Sequence, residues 1–472
     1  MDQMAPAPTT GQPTDSAGRR GRFAWALYQW ARDPYFLLVN IYVFAPYFSG
    51  TVVGDPVRGQ ALWGYVQSVA AFFMAVSSPV IGAIADAGGR RKPWLLGTTL
   101  VALPAMAAIW FAVPGMGESM GAGGSMAPAF LGILVALILA GLMIELSAVF
   151  HNAMLPGVAG PGGVGLLSGL GLALGNLGGI ATLLFVLFAF ALPETPLFGI
   201  DRAAHEHERL VGPLGALWML VFCLPLFLFT PDARGTGLGP VAAAKTGLST
   251  LWGTIRRLGH YRNVAGYLVA RMLFGDGWVV MLFFGGIYAA GVFGWGATEL
   301  TVYGVLNSVV AAFGAIVGGR VDDLIGSKRT LQASLLGCIL TGLAVISVTR
   351  TEIFFMPVPE GMAGLDLPVF RTAPEQVYVG LVFLIAIFIT AGIASSRTMM
   401  ARIAPPTMMA EFFGLFALSG NATSFMGPLM LALVTSTTGS QRLGFLTAHF
   451  FLAAGLVVLT FWVREERTEA KH

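Results

Sequence analysis

A chain of 472 residues that is 56% hydrophobic and only 11% charged, with a mean hydropathy of +0.76 and a net charge of +3, is not built as a soluble domain. Soluble domains carry about 25% charged residues. The two cysteines, Cys223 and Cys338, fall inside apolar runs, which points to packing rather than to a disulfide or a metal site.

Residues 1–22 are polar and rich in Pro, Thr and Gly, and read as a disordered tail rather than a signal peptide. Twelve apolar runs follow, at 23–48, 60–86, 93–113, 128–151, 164–192, 212–230, 263–291, 297–320, 329–349, 376–397, 410–437 and 443–463. Each is long enough to cross a bilayer, and the ~10-residue alternation of a membrane barrel is missing, so helices are predicted. The fold class is an all-α membrane protein of twelve transmembrane helices in two six-helix halves, 23–230 and 263–464, with a linker at 231–262 and a tail at 465–472. With a cytoplasmic N-terminus, 19 of the 27 Lys and Arg fall in cytoplasmic segments, Arg234, Lys245, Arg256, Arg257 and Arg262 of the linker among them. Six fall outside, and Arg32 and Arg271 lie within spans. This positive-inside bias predicts a multi-pass inner-membrane protein with both termini cytoplasmic.

Span 1 carries YQWARDPYFLLVN, in which Tyr28, Arg32 and Tyr35 share one helix face and Gln29, Asp33 and Asn40 widen it into a polar wedge. Pro34 removes a backbone donor and predicts a kink beside the charges. GAIADAGGRRK (82–92) follows span 2, where Asp86 is placed to hold Arg90 or Arg91 across the Gly88–Gly89 turn. GESMG (117–121) satisfies a hydrolase expression around Ser119, but it lies in a Gly/Met/Ser loop without the strand and helix such a nucleophile needs, so no enzyme is expected. Glu145 stands about 9 Å from the cytoplasmic end of span 4, within reach of an Arg32 side chain. His151-Asn152 at the end of that span reads as an interfacial cap. Gly171, Gly175 and Gly179 in span 5, and Gly314 and Gly318 in span 8, mark faces for close helix packing.

Span 7 repeats the motif of span 1: Tyr267, Ala270 and Arg271 answer Tyr28, Ala31 and Arg32, and Gly275 and Gly277 around Asp276 permit a local break. GRVDDLIGSKR (319–329) repeats the loop at 82–92, with Asp323, Lys328 and Arg329 in the corresponding places. Met154, Ala159, Pro161, Gly169, Leu170, Gly175 and Asn176 recur as Met399, Ala404, Pro406, Gly414, Leu415, Gly420 and Asn421. Arg397 reads as a snorkelling side chain and Glu411 as a helix start. Trp278, Tyr303, Asn307, Asn176 and Asn421 are further candidates for lining a site.

The loop at 82–92 resembles the signature of the major facilitator superfamily, G-x-x-x-D-x-x-G-R-[KR], and its copy at 319–329 falls where that family repeats it. WALYQWARDPYF, FAPYF, LSGLGLALGNLGG, LVARMLFGDG and the long block SRTMMARIAPPTMMAEFFGLFALSGNATSFMGPL (396–429) are similar to the vacuole effluxer-like branch of that superfamily. The first motif departs from the branch's W-x-L-Y-D-x-A-N-S, with Gln29 for Asp and Arg32-Asp33 for Asn-Ser. The resemblance implies a secondary transporter whose spans 1, 4, 7 and 10 line a central cavity, and whose halves rock to give alternating access. Organophosphate antiporters of the superfamily likewise place an arginine on spans 1 and 7.

A charge at mid-bilayer costs about 2.5–3.5 kcal/mol, so Arg32, Asp33, Glu145, Arg271 and Asp276 are expected to face a cavity or one another. The two arginines form a natural clamp for carboxylate or phosphate. Tyr28, Arg32, Tyr35, Tyr267, Arg271 and Trp278 are the expected substrate-binding residues. Asp33, Glu145 and Asp276 are the expected proton-coupling groups, and Asp86, Arg90, Arg91, Asp323, Lys328 and Arg329 the expected gating groups. The expectation is a monomeric, cofactor-free carrier of an anionic or zwitterionic metabolite, with protons and the lipid bilayer as partners and no nucleic acid. An amphipathic, lipid-like anion is the alternative substrate, and a non-transporting receptor the alternative role.

Overall fold

The computed structural model describes residues 17–118, 127–160, 163–233, 235, 260–404 and 409–464, with single positions between 242 and 256; side chains at 83, 85–88, 164–165 and 409–411 are not among those described. Asp86, Ser119, Pro161, Arg234, Arg257, Pro406 and Glu411 therefore lie wholly or in their side chains outside the described residues. Among these residues twelve helices are long and apolar enough to span a membrane: Arg19–Val52, Pro56–Gly82, Lys92–Phe111, Pro128–Ala159, Leu166–Ala191, Glu206–Phe229, Arg262–Phe293, Ala297–Ile325, Ser327–Ile346, Ala373–Ile403, Phe412–Thr438 and Gln441–Trp462. They are numbered spans 1–12 below. Span 1 begins, and span 12 ends, at what we call the near face; the other side is the far face.

Local chemistry sets several ends. Span 10 opens on a capping box in which Thr372 N donates to Glu375 Oε2 at 2.9 Å and the Thr372 hydroxyl accepts from Glu375 N at 3.4 Å. Span 7 stops at Gly294 in the left-handed region, at φ 67°. In span 1 the regular helix ends at Arg32 and continues as the wide turns Phe36–Tyr42 and Phe48–Val52. The cause is Pro34, which has no N–H to offer Trp30 O. The freed carbonyl accepts instead from Trp218 Nε1 of span 6 at 3.0 Å.

Span 7 makes no local break. It runs unbroken from Arg262 to Phe293 through Gly275-Asp276-Gly277. Gly277 serves close packing instead, since a Cβ there would lie 2.9 Å from Ala448 O of span 12. The break falls in span 11, between helices Met409–Ala422 and Met426–Thr438. The glycine faces behave as read: Gly171, Gly175, Gly178 and Gly179 all pack on span 1, and Gly314 and Gly318 on span 10. Cys223 and Cys338 are free and buried.

The halves meet mainly where span 2 runs along span 11. Every described hydrogen bond between them lies from mid-membrane to the far face. Gln60 Nε2 donates to Thr435 Oγ1 at 3.0 Å and to Gln441 O at 3.2 Å, and Gln441 Nε2 donates to Pro56 O at 2.9 Å. Asn307 Nδ2 donates to Tyr42 OH at 3.0 Å, and Ser68 Oγ to Phe425 O at 3.0 Å. The polar contacts between the halves thus gather toward the far face. A two-stranded hairpin, Glu352–Ile353 with Met356–Pro357, lies in the far-face connection between spans 9 and 10.

Candidate functional site

In the first half, Arg32 donates from Nε and Nη2 to Asp33 Oδ1, at 2.9 and 2.7 Å. Its Nη1 is buried without a partner among the described residues. The neighbouring Asp33 Oδ2 lies against Gly175 of span 5, where no side chain would fit. Glu145 of span 4 makes no hydrogen bond or ion pair among the described residues, and it interacts electrostatically with Arg32, Asp33 and Tyr35. Tyr28 shares a hydrogen bond with Thr99 Oγ1 of span 3 at 3.2 Å, and the Tyr35 hydroxyl approaches Gly141 of span 4. The polar wedge of span 1 therefore divides: Tyr28 and Tyr35 meet spans 3 and 4, while Gln29 and Asp33 meet span 5.

His151 is no interfacial cap. It is fully buried, stacked on Trp25 at 4.2 Å and on Tyr28 at 4.8 Å. Its Nε2 pairs with Trp25 O at 2.8 Å, while Trp25 Nε1 donates to His151 O at 3.0 Å. This reciprocal clamp holds spans 1 and 4 together beneath Arg32.

In the second half, Arg271 meets no carboxylate among the described residues. Its Nε donates to Phe416 O at 3.2 Å and its guanidinium lies 3.8 Å over the Phe416 ring. Gly420 leaves room for it, since a Cβ would sit 2.9 Å from Nη2. Tyr267 is bound through its hydroxyl to the backbone and side-chain oxygens of Ser396 on span 10 and is stacked on Phe416. The pseudo-symmetry extends to the packing, because Gly175 and Gly420 are repeat partners and both make space for the charged stretch of the helix beside them.

Two expected members stand apart. Trp278 is buried against Gly392 of span 10 and Phe274 of its own helix. Asp276 points to span 11, where it accepts from Gly427 N at 3.3 Å. Tyr303 and Asn307 belong to the far seam, with the Tyr303 ring edge-on to Tyr42 at 5.6 Å.

On the near face the described contacts of the loop run to span 6. Asp232, after span 6, accepts from the backbone N–H of Arg91 at 3.0 Å and of Lys92 at 3.1 Å. Arg90 is exposed. In the repeat loop, Asp323 and Arg329 are exposed, and the ion pair is made by Asp322 with Arg402 of span 10 at 3.3 Å. Lys328 Nζ donates to Thr460 O at 3.1 Å and Val463 O at 2.7 Å, at the end of span 12. Lys92 Nζ does the same for span 6 through Phe227 O at 2.9 Å. Sequence alone missed Asp232, Asp322, Ser396, Phe416 and the clamp at His151, all of which depend on partners distant in the chain.

Solved structures with the same fold include a D-xylose-proton symporter (TM-score 0.64, 12% identity, covering 94% of this chain and 97% of that one). A bacterial homologue of the human lysosomal transporter Spinster, inward-facing and occupied, is similar at TM-score 0.61 and 14% identity, over 95% and 96%. A POT family transporter in complex with 5-aminolevulinic acid reaches TM-score 0.62 at 13% identity, over 93% and 95%. At these identities the likeness speaks for the fold. In sequence, an uncharacterized MFS-type transporter, YxiO of Bacillus subtilis, is 22% identical over 449 residues, 94% of this chain and 95% of its own. Autophagy-related protein 22 of Cryptococcus neoformans is 26% identical over 300 residues, 62% of this chain; the match spans about half (49%) of the fungal protein. The profile of the family described as "Vacuole effluxer Atg22 like" matches residues 165–472, and the chain belongs to that family of major facilitator transporters.

Proposed function

We propose that this transporter carries an anionic or zwitterionic small metabolite across the inner membrane by alternating access, with the near face cytoplasmic and protons as the coupling ion. The observation that carries the reading is the inequality of the two arginines. Arg32 has its charge answered by Asp33, whereas Arg271 rests on an aromatic ring and a carbonyl, with no carboxylate beside it among the described residues. A substrate carboxylate or phosphate supplies the bidentate partner that Arg271 lacks. Arg32 binds the same anion when Asp33 releases it, and Glu145, unbonded beside the pair, takes up the proton that keeps the site neutral. Tyr28, Tyr35 and Tyr267 are the further candidates for substrate contact in this reading. The 5-aminolevulinic acid held by the POT family structure is a zwitterion of the class in view.

Counterflow into proteoliposomes, run with amino acids, organic acids and organophosphates, tests the reading. Arg271→Ala is expected to weaken the active substrate roughly 10- to 100-fold, the scale of a lost charge-assisted hydrogen bond, with Arg271→Lys between. Flux indifferent to both changes overturns it. An amphipathic anion is the second reading, favoured by the aromatic stack of Phe36 on Phe283 across the two halves at 6.5 Å. Competition by short-chain against long-chain acyl phosphates separates the two.

A further inference from the structure

Span 11 breaks at Thr423–Phe425, and the break has a readable cause. Pro428 has no N–H, and in a continuous helix its ring would clash with the carbonyl of Ser424, four residues back. Met426 N turns to Thr423 O at 2.7 Å, taking the acceptor that Gly427 N would use in a regular helix. The orphaned Gly427 N–H, in the first turn of Met426–Thr438, is collected by Asp276 Oδ1 at 3.3 Å. Gly427 carries no side chain because a Cβ would meet Asp276 O at 2.7 Å. Asp276 is 2% exposed, so a carboxyl group sits at a half-helix N-terminus within span 11, where an N–H freed by the break needs an acceptor.

The first half has none of this. Subtracting the repeat offset of span 1 (267 − 28 = 239) puts Leu37 at the place of Asp276. Subtracting that of span 5 (399 − 154 = 245) puts Thr182 and Leu183 at the places of Gly427 and Pro428. Span 5 accordingly runs unbroken through Val164–Val186. Acid, glycine and proline occur together in one half and are absent together from the other.

The break also faces the other half. Ser68 Oγ of span 2 donates to Phe425 O, and the Phe72 ring stands edge-on to Phe425 at 5.5 Å. The groups acting on the Asp276 carboxyl are the Thr423 hydroxyl and Gly427 N–H. Met426–Thr438 carries no titratable side chain, Arg271 on the same helix turns to Phe416, and His449 of span 12 turns to Gly342.

We propose that Asp276 is a latch: by holding the N-terminus of the broken helix it keeps span 11 bent against span 2 and stabilises the far-closed state. The latch is a positioning device distinct from substrate binding. It rests on the transporter reading only for its consequence, and its test needs no substrate.

Spin labels at the exposed far-face positions Val113→Cys and Thr437→Cys, one per half, report the far seam by pulsed EPR in nanodiscs of the full chain. Asp276→Leu, the residue of the symmetric position, is expected to raise the far-open to far-closed ratio roughly tenfold, the scale of one hydrogen bond to a charged group. Asp276→Asn, which keeps an oxygen for Gly427 N–H, is expected to restore most of the closed population. With Pro428→Leu the break heals, and Asp276→Leu then has no further effect. A distance distribution unmoved by Asp276→Leu, or moved equally with and without Pro428→Leu, overturns the latch. If Asp276→Leu fails to fold, Ser68→Ala takes its place; it is expected to shift the same ratio less, and no shift is again the overturning result. Flux indifferent to Arg271→Ala, with the distance still moved by Asp276→Leu, overturns the substrate site and leaves the latch standing.

Discussion

Arg32 and Arg271 are the same residue type at the same place in two halves, yet their surroundings make them different reagents. Truncating one member of a buried ion pair strands the other charge, whereas removing both relieves the desolvation. Arg32→Ala is therefore expected to destabilise by ~3 kcal/mol or more, and Arg32→Ala with Asp33→Ala by clearly less. Thermal melts in detergent over the full double-mutant cycle check this. Gly175 makes room for Asp33, so Gly175→Val is expected to cost ~1–3 kcal/mol by overpacking, on the same assay. The charges themselves were legible in sequence, because an ionisable residue inside an apolar run has few bland explanations. Their partners were not: Phe416 lies 145 positions from Arg271 and looks like any other lipid-tolerant phenylalanine.

At the level of elements, helix phase decides what a repeat can only suggest. The loop at 319–329 aligns Asp323 with Asp86, yet Asp322 is the residue that meets Arg402, because neighbours on a helix point about 100° apart. Asp322→Asn is expected to loosen the near end of span 10 and Asp323→Asn to leave it unchanged, as read by hydrogen exchange at 396–403. Proline positions were better guides. Pro34 announced the end of the regular helix in span 1, and Pro428, in plain view within SFMGPL, marked the break in span 11, whereas the glycines of span 7 only permitted one. At the far end, Tyr42 fills the space that Gly304 leaves open; a Cβ there would come within 2.7 Å of its ring. Gly304→Val is expected to force the seam apart and raise labelling of a cysteine at Asn307 by membrane-impermeant maleimide.

For the molecule as a whole, two six-helix halves are joined at a far seam that combines hydrogen bonds with aromatic contacts. A Cβ at Gly64 would sit 2.9 Å from that of Ala432, a little inside disulfide geometry. Gly64→Cys with Ala432→Cys is expected to cross-link on oxidation, to stop flux, and to recover with reductant, while the native Cys223 and Cys338 stay buried and silent. Twelve spans and their twofold repeat were readable from composition and pattern, and the family from the resemblance of its motifs; the way the halves meet was not, since it lies in contacts between residues hundreds of positions apart. The charges around Arg32 have one more consequence. Counting Arg32 and Arg271 as +1 each and Asp33 and Glu145 as −1 each, the four charges of the proposed site sum to zero. A zwitterion leaves that sum unchanged, but each net negative charge on the cargo unbalances it in a medium where unpaired charge is costly. Under the proposed mechanism the cargo's own valence therefore sets the number of protons that accompany it, and one carrier would run neutral and acidic substrates at different proton stoichiometries.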